Sequence, residues 1–171
     1  METLFAKQDR LLSLTSTEII RYIDVSDQLG CQLVAIKGPR GVGKTTLMLQ
    51  YMKQHYEVYS REVLYCTLDS VYFSNHTLLE LVDVFVKNGG KHLFLDEVHK
   101  YPTWSKEIKE VYDMYPDLKV VFSASSLLNI LNADADLSRR CIPYEMQGLS
   151  FREFLLFYNS WIYLYVLWKR F

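Results

Sequence analysis

Residues Gly38-Pro39-Arg40-Gly41-Val42-Gly43-Lys44-Thr45-Thr46 place three glycines, a lysine and two hydroxyls within one short stretch. That composition suits a polyphosphate, because glycines let successive backbone N–H groups turn inward without Cβ atoms blocking the approach. Positions 38–45 satisfy the full G-x4-G-K-[ST] pattern, the Walker A motif. At ordinary glycine usage such a match arises by chance in roughly one chain in a hundred of this length. Gly38 through Thr46 are therefore expected to cradle a nucleotide's phosphates, with Lys44 reaching the β and γ phosphates and the Thr45 hydroxyl ligating Mg²⁺.

A magnesium ion also needs an anionic partner, and Asp96 at the end of HLFLD stands at the Walker B position. Glu97 follows immediately and suits a general base that polarises the attacking water. Ser123 closes the run KVVFSA, either beside the γ-phosphate or as a cap for the next turn. Arg139 and Arg140 follow the acidic Asp134 and Asp136, and read equally as charge-neutralising cations or as a structural basic pair. His92 and His99 lack companion ligands at metal-binding spacing, so a structural or water-positioning histidine is the reading for His99.

The elements around these residues alternate. QLVAIK (32–37), EVLYCTL (62–68), HLFLD (92–96) and KVVFSA (119–124) are short apolar runs that read as strands, and 140–147 as a fifth. A first helix is expected over 15–29, opened by the capping-box spacing of Thr15 and Glu18 and ended at Gly30. Others follow the glycine loop, the Thr77…Glu80 box and Pro102, with a short helix at 126–131 and a last one capped by Ser150…Glu153. The pattern implies an α/β P-loop NTPase fold, with a parallel five-stranded sheet sandwiched between helices and its site at the carboxyl ends of the strands.

Half of the 171 residues are apolar, enough for one core, and the net charge is −1, so no global positive field marks a nucleic-acid binder. Cys31, Cys66 and Cys141 form neither a disulfide framework nor a CxxC pair, which implies a reducing, cytoplasmic compartment. The apolar run 154–168 is shorter than the ~20 residues that span a bilayer and is interrupted by Asn159 and Ser160.

GPRGVGKTTLMLQY, LFLDEVHKYPTWSKEIKEVYDMYPDLKVVFSASS, ADLSRR and GLSFREFL together resemble the prokaryotic AAA-family ATPases, whose ATPase core usually precedes a C-terminal domain of uncharacterised function. The resemblance runs from Lys37 to about Leu156. It implies an AAA/ASCE-like core over 1–156 that hydrolyses ATP with Mg²⁺, Ser123 as its sensor residue, and Arg139 or Arg140 as an arginine finger acting on a neighbouring subunit of a homo-oligomer. Two departures stand out: Ala124 where the family usually has glycine, and the apolar tail 157–171 where a C-terminal domain is usual, as in a truncated product or a minimal core. A GTPase is disfavoured, because Asp96-Glu-Val-His lacks the glycine of a DxxG switch and no NKxD occurs. A nucleotide-binding module without turnover, or a P-loop kinase, remains open, and no motif names a partner protein or DNA.

Overall fold

The apolar runs become β1 (Leu33–Lys37), β2 (Val63–Thr67), β3 (His92–Asp96) and β4 (Lys119–Ala124), and IPYE becomes β5 (Ile142–Glu145). These elements belong to a computed structural model that describes residues 1–21, 31–57, 59–124, 137 and 139–158. Every pairing is parallel, in the order β2-β3-β4-β1-β5. Parallel neighbours need crossovers, and the helices α1 (Glu2–Leu14), α2 (Lys44–His55), α3 (Leu78–Lys87) and α4 (Trp104–Met114) cover the sheet, with a further helical segment at 151–158, α5.

The period-2 alternation of the strands divides the core. Ala35, Leu64, Leu93, Leu95, Val120 and Phe122 pack beneath α1, α3 and α4, while Val34, Ile36, Tyr65, Phe94 and Val121 meet Leu47, Met48 and Met52 of α2. The expected box closes α3: Thr77 N donates to Glu80 Oε2 at 2.8 Å, and Glu80 N to Thr77 Oγ1 at 3.1 Å. From α4, the buried carboxylate of Glu107 caps the same helix start, accepting from Leu78 N at 3.0 Å and Leu79 N at 3.3 Å.

The N-terminus corrects one expectation. Thr15 ends α1 instead of opening a helix, its hydroxyl donating back to Leu11 O at 2.8 Å. A threonine satisfies either end of a helix with the same oxygen, so Thr15-x-x-Glu18 spacing alone does not choose between them. Leu4, Phe5, Gln8 and Leu12 recur at helical spacing and give α1 its inward side. Residues 15–21 are not helical; Gln50 Nε2 of α2 donates to Ser16 O at 2.8 Å and to Ile19 O at 2.9 Å and holds them down. The remainder of the helix expected over 15–29, the short helix at 126–131 and most of the tail 157–171 lie outside the described residues.

Helix α1 also answers a question the sheet raises. β2 is an edge strand, and exposed edges invite pairing with other chains. The buried Gln8 amide donates to Val63 O at 3.4 Å and accepts from Tyr65 N at 2.6 Å, as a neighbouring strand would.

Candidate functional site

Strand order assembles the site. β4 is inserted between β1 and β3, so Ser123 pairs in register with Ile36, one residue short of the end of β1, and lies beside Asp96 on its other flank. Loop 38–43 leaves the carboxyl end of β1 and runs into α2 at Lys44, with Gly43 as N-cap at φ 96°, a left-handed conformation that costs a residue bearing Cβ. Gly38 is required for closeness: a Cβ there would stand 2.4 Å from the carbonyl oxygen of Met146. That residue is fully buried just beyond β5, and its N–H donates to Lys37 O at 2.7 Å.

Lys44 is buried, and its ammonium donates to Gly38 O at 2.8 Å and Pro39 O at 2.9 Å. Burial lowers its pKa, an effect opposed by the nearby Glu97 and Asp96 carboxylates. The ammonium thus sits inside the loop on the loop's own carbonyls, where phosphate oxygens would be stronger acceptors. Pro39, Arg40, Gly41, Thr45 and Thr46 are exposed, and Val42 and Gly43 half-buried, so the loop is open to a ligand.

Asp96 is the hub. Its Oδ2 accepts from Thr45 Oγ1 at 2.5 Å and from the Tyr65 hydroxyl at 2.8 Å, and its Oδ1 accepts from Ser123 Oγ and, at 3.0 Å, from Glu97 N. The carboxylate is only 3% exposed, so these donors stand in for water around a buried charge. Burial, then the Asp96 charge, push the Tyr65 phenol far above its ordinary value, which keeps it a proton donor. The same two causes hold the neighbouring Cys66 thiol up to about 12.

Glu97 occupies the left-handed region at φ 54°, ψ 39°, a conformation worth about 1–3 kcal/mol of strain for a residue with a side chain. Its N–H is held by Asp96 Oδ1 and, at 3.2 Å, by Ser123 Oγ, while its partly exposed carboxylate lies 3.3 Å from His99 Nε2. Ser123 is fully buried and its hydroxyl is committed to this acidic turn.

Arg139 and Arg140 are not brought to the loop. They precede Ile142, which pairs with Val34 at the start of β1, so they stand at the amino ends of the strands, opposite the loop. Arg140 pairs with Asp113 at 2.9 Å and lies over the Tyr112 ring, whereas Arg139 is exposed. His92 packs edge-on against Tyr56, and among the described residues no cluster of three or more histidines, cysteines or carboxylates could hold a metal without help from a ligand.

Two residues of the site lie outside what spacing indicates. Tyr65 reads as one more apolar strand residue, and only its polar tip hints at a buried partner. Arg21, 11% exposed, donates to Val42 O of the loop and pairs with Glu153, a contact 132 positions apart in sequence.

The donor set fits a nucleotide with its magnesium: a buried ammonium inside a loop of left-handed glycines, and a hydroxyl and carboxylate already in contact beside it. Among the described residues no helix is long and apolar enough to cross a membrane.

The chain is 28% identical over 132 residues to the uncharacterized protein MJ1637 of Methanocaldococcus jannaschii, an alignment covering 72% of this chain and 28% of that protein. It is 29% identical over 133 residues to MJ1544 of the same organism, covering 75% and 29%. The chain therefore spans under a third of the length of these curated relatives. Among solved structures, C. elegans PCH-2 overlaps 86% of this chain and 42% of its own, with a TM-score of 0.49 and 13% identity. A family model described as an AAA domain matches residues 31–155, well over half of the molecule, and the chain belongs to that AAA-domain family, as an ATPase-like nucleotide-binding module.

Proposed function

We propose that this domain binds ATP with Mg²⁺ and hydrolyses it to ADP and phosphate. The observation that carries the reading is the Asp96 carboxylate, in contact with Thr45 of the loop and continuous with a Glu97 held in a strained turn by Ser123. When bound, the magnesium ion neutralises charge on the β and γ phosphates. Lys44 turns from the Gly38 and Pro39 carbonyls to the phosphates, the amides of residues 41–45 surround them, and Thr45 and Asp96 hold the metal. Glu97 takes the proton of the attacking water, while Ser123 fixes the peptide that aims it. His99, within contact distance of the Glu97 carboxylate, orients that base.

Arg139 acts in trans in this reading. It is exposed and stands at the end of the strands away from its own loop, so the phosphates within its reach belong to another copy. Three cysteines, odd in number and far apart in the sequence, favour the cytoplasm.

Replacing Glu97 with Gln tests the reading. Nucleotide binding should persist while phosphate release falls at least a hundredfold, and unchanged turnover would refute the assignment of the base. Wild-type release that rises more steeply than protein concentration supports the trans arginine. Tight ATP binding with no release at any concentration favours a binding module, and consumption only with an added acceptor a kinase.

A further inference from the structure

Arg21 makes four contacts with one planar group. Nε donates to Glu153 Oε1 at 2.7 Å, one terminal nitrogen to Val42 O at 3.0 Å, and the other to Gln147 O and Gly148 O, both at 3.0 Å. Side-chain exposures of 11% for Arg21 and 6% for Glu153 make this a sheltered, charge-assisted fork rather than a surface ion pair. Glu153 is itself tied to the start of α5, accepting from Ser150 N at 2.8 Å and donating its own N–H to Ser150 Oγ at 3.2 Å.

The contact at Val42 bears on the loop's chemistry. In a trans peptide the C=O and the following N–H point in opposite directions. Holding the Val42 carbonyl on the Arg21 side turns Gly43 N–H to the other side, and Gly43 is the left-handed N-cap from which α2 departs. A guanidinium is suited to this task because its donors lie in one fixed plane, whereas an ammonium would serve at most some of the acceptors.

We propose that Arg21, anchored by Glu153, is a positioning residue of the phosphate loop, fixing the Val42–Gly43 peptide in its phosphate-binding orientation and tying the loop to α5. The inference rests on the reading that the loop takes a nucleotide polyphosphate, but it makes a claim about loop order that holds without nucleotide.

The test uses Arg21→Gln, Arg21→Lys and Glu153→Gln in the full chain, with two readouts. Hydrogen exchange of peptides covering 38–45 is compared with that of the strands at 92–96 and 119–124, in the absence of nucleotide. Affinity is then measured by titrating a fluorescent ADP analogue and displacing it with ATP. For Arg21→Gln we expect faster exchange confined to the loop and about tenfold weaker nucleotide binding, the equivalent of losing one charge-assisted hydrogen bond. Arg21→Lys should fall between this variant and wild type. Exchange that quickens equally in the strands would mean a general loss of stability and would overturn the proposal, as would loop exchange and affinity matching wild type. Should Arg21→Gln fail to fold, Glu153→Gln decides, since it keeps an acceptor for Arg21 and should give the same local effect at smaller size; no local effect overturns the proposal. If wild type takes up no nucleotide, the ATPase reading fails, while the exchange data still judge the clamp.

Discussion

Replacing Tyr65 with Phe removes one oxygen from the centre of the site and leaves the ring packed against α2. The phenol is 4% exposed and donates to Asp96 Oδ2 at 2.8 Å, and Asp96 is 3% exposed, so water cannot easily substitute for the lost donor. A hydrogen bond to a charged group is worth about 1.5–3 kcal/mol. At roughly 2–4 °C per kcal/mol for a domain of this size, the melting temperature should fall by roughly 3–12 °C. A second effect concerns the metal. Thr45 Oγ1 shares the same carboxylate oxygen, so Tyr65 would orient that carboxylate from outside while Thr45 and Asp96 faced a bound magnesium ion. Losing such an outer partner typically weakens metal binding about 10–100-fold. Differential scanning fluorimetry in chelator gives the first quantity, and magnesium titration of ADP-analogue binding gives the second. If Tyr65→Phe melts within about 1 °C of wild type and shows the same magnesium dependence, the hub role assigned to Asp96 is wrong, since the expected loss exceeds that margin several-fold.

Three further outcomes follow from the packing. Gly38→Ala should destabilise by about 1–3 kcal/mol and lose nucleotide binding, because its new methyl would meet the Met146 carbonyl at 2.4 Å; chemical denaturation and nucleotide titration report both. Gln8→Ala should cost about 2 kcal/mol in a urea melt, since Tyr65 N and Val63 O lose their partner at the sheet edge, and should leave nucleotide affinity intact. In acid, Glu153 should matter: burial pushes its carboxyl up, but the hydrogen bonds from Arg21 and Ser150 outweigh that and hold it at about 2, below the ordinary 4.5. A depressed carboxyl contributes stability above its unfolded pKa and loses it as pH falls through the folded one, so denaturation curves between pH about 4.5 and 2 should weaken in wild type and flatten in Glu153→Gln.

Local physics made much of this molecule legible from residue order. The loop 38–45 declares itself because only glycine tolerates its backbone and only a lysine and a hydroxyl complete its chemistry. Continuous apolar runs announced buried parallel strands, and Thr77…Glu80 announced the start of α3, since both signals depend on neighbours within a few positions. Asp96 was readable because it ends a strand whose carboxyl terminus must face the loop, and Glu97 because it follows directly.

Tertiary structure decided the rest, because the energies involved join residues that are remote in the chain. Thr15 could cap a helix on either side, and the choice fell to α1, whose Gln8 pairs with the β2 edge and whose Leu4 and Phe5 reach the core. Tyr65 and Ser123 became partners of Asp96 only when β2 and β4 flanked β3, and Arg21 met Glu153 across most of the molecule. Likewise, Arg139 and Arg140 carry the charge a finger needs, but the direction of β5 sets them at the far end of the sheet. Residue order states which groups can do the chemistry, whereas burial without water decides which of them must find one another.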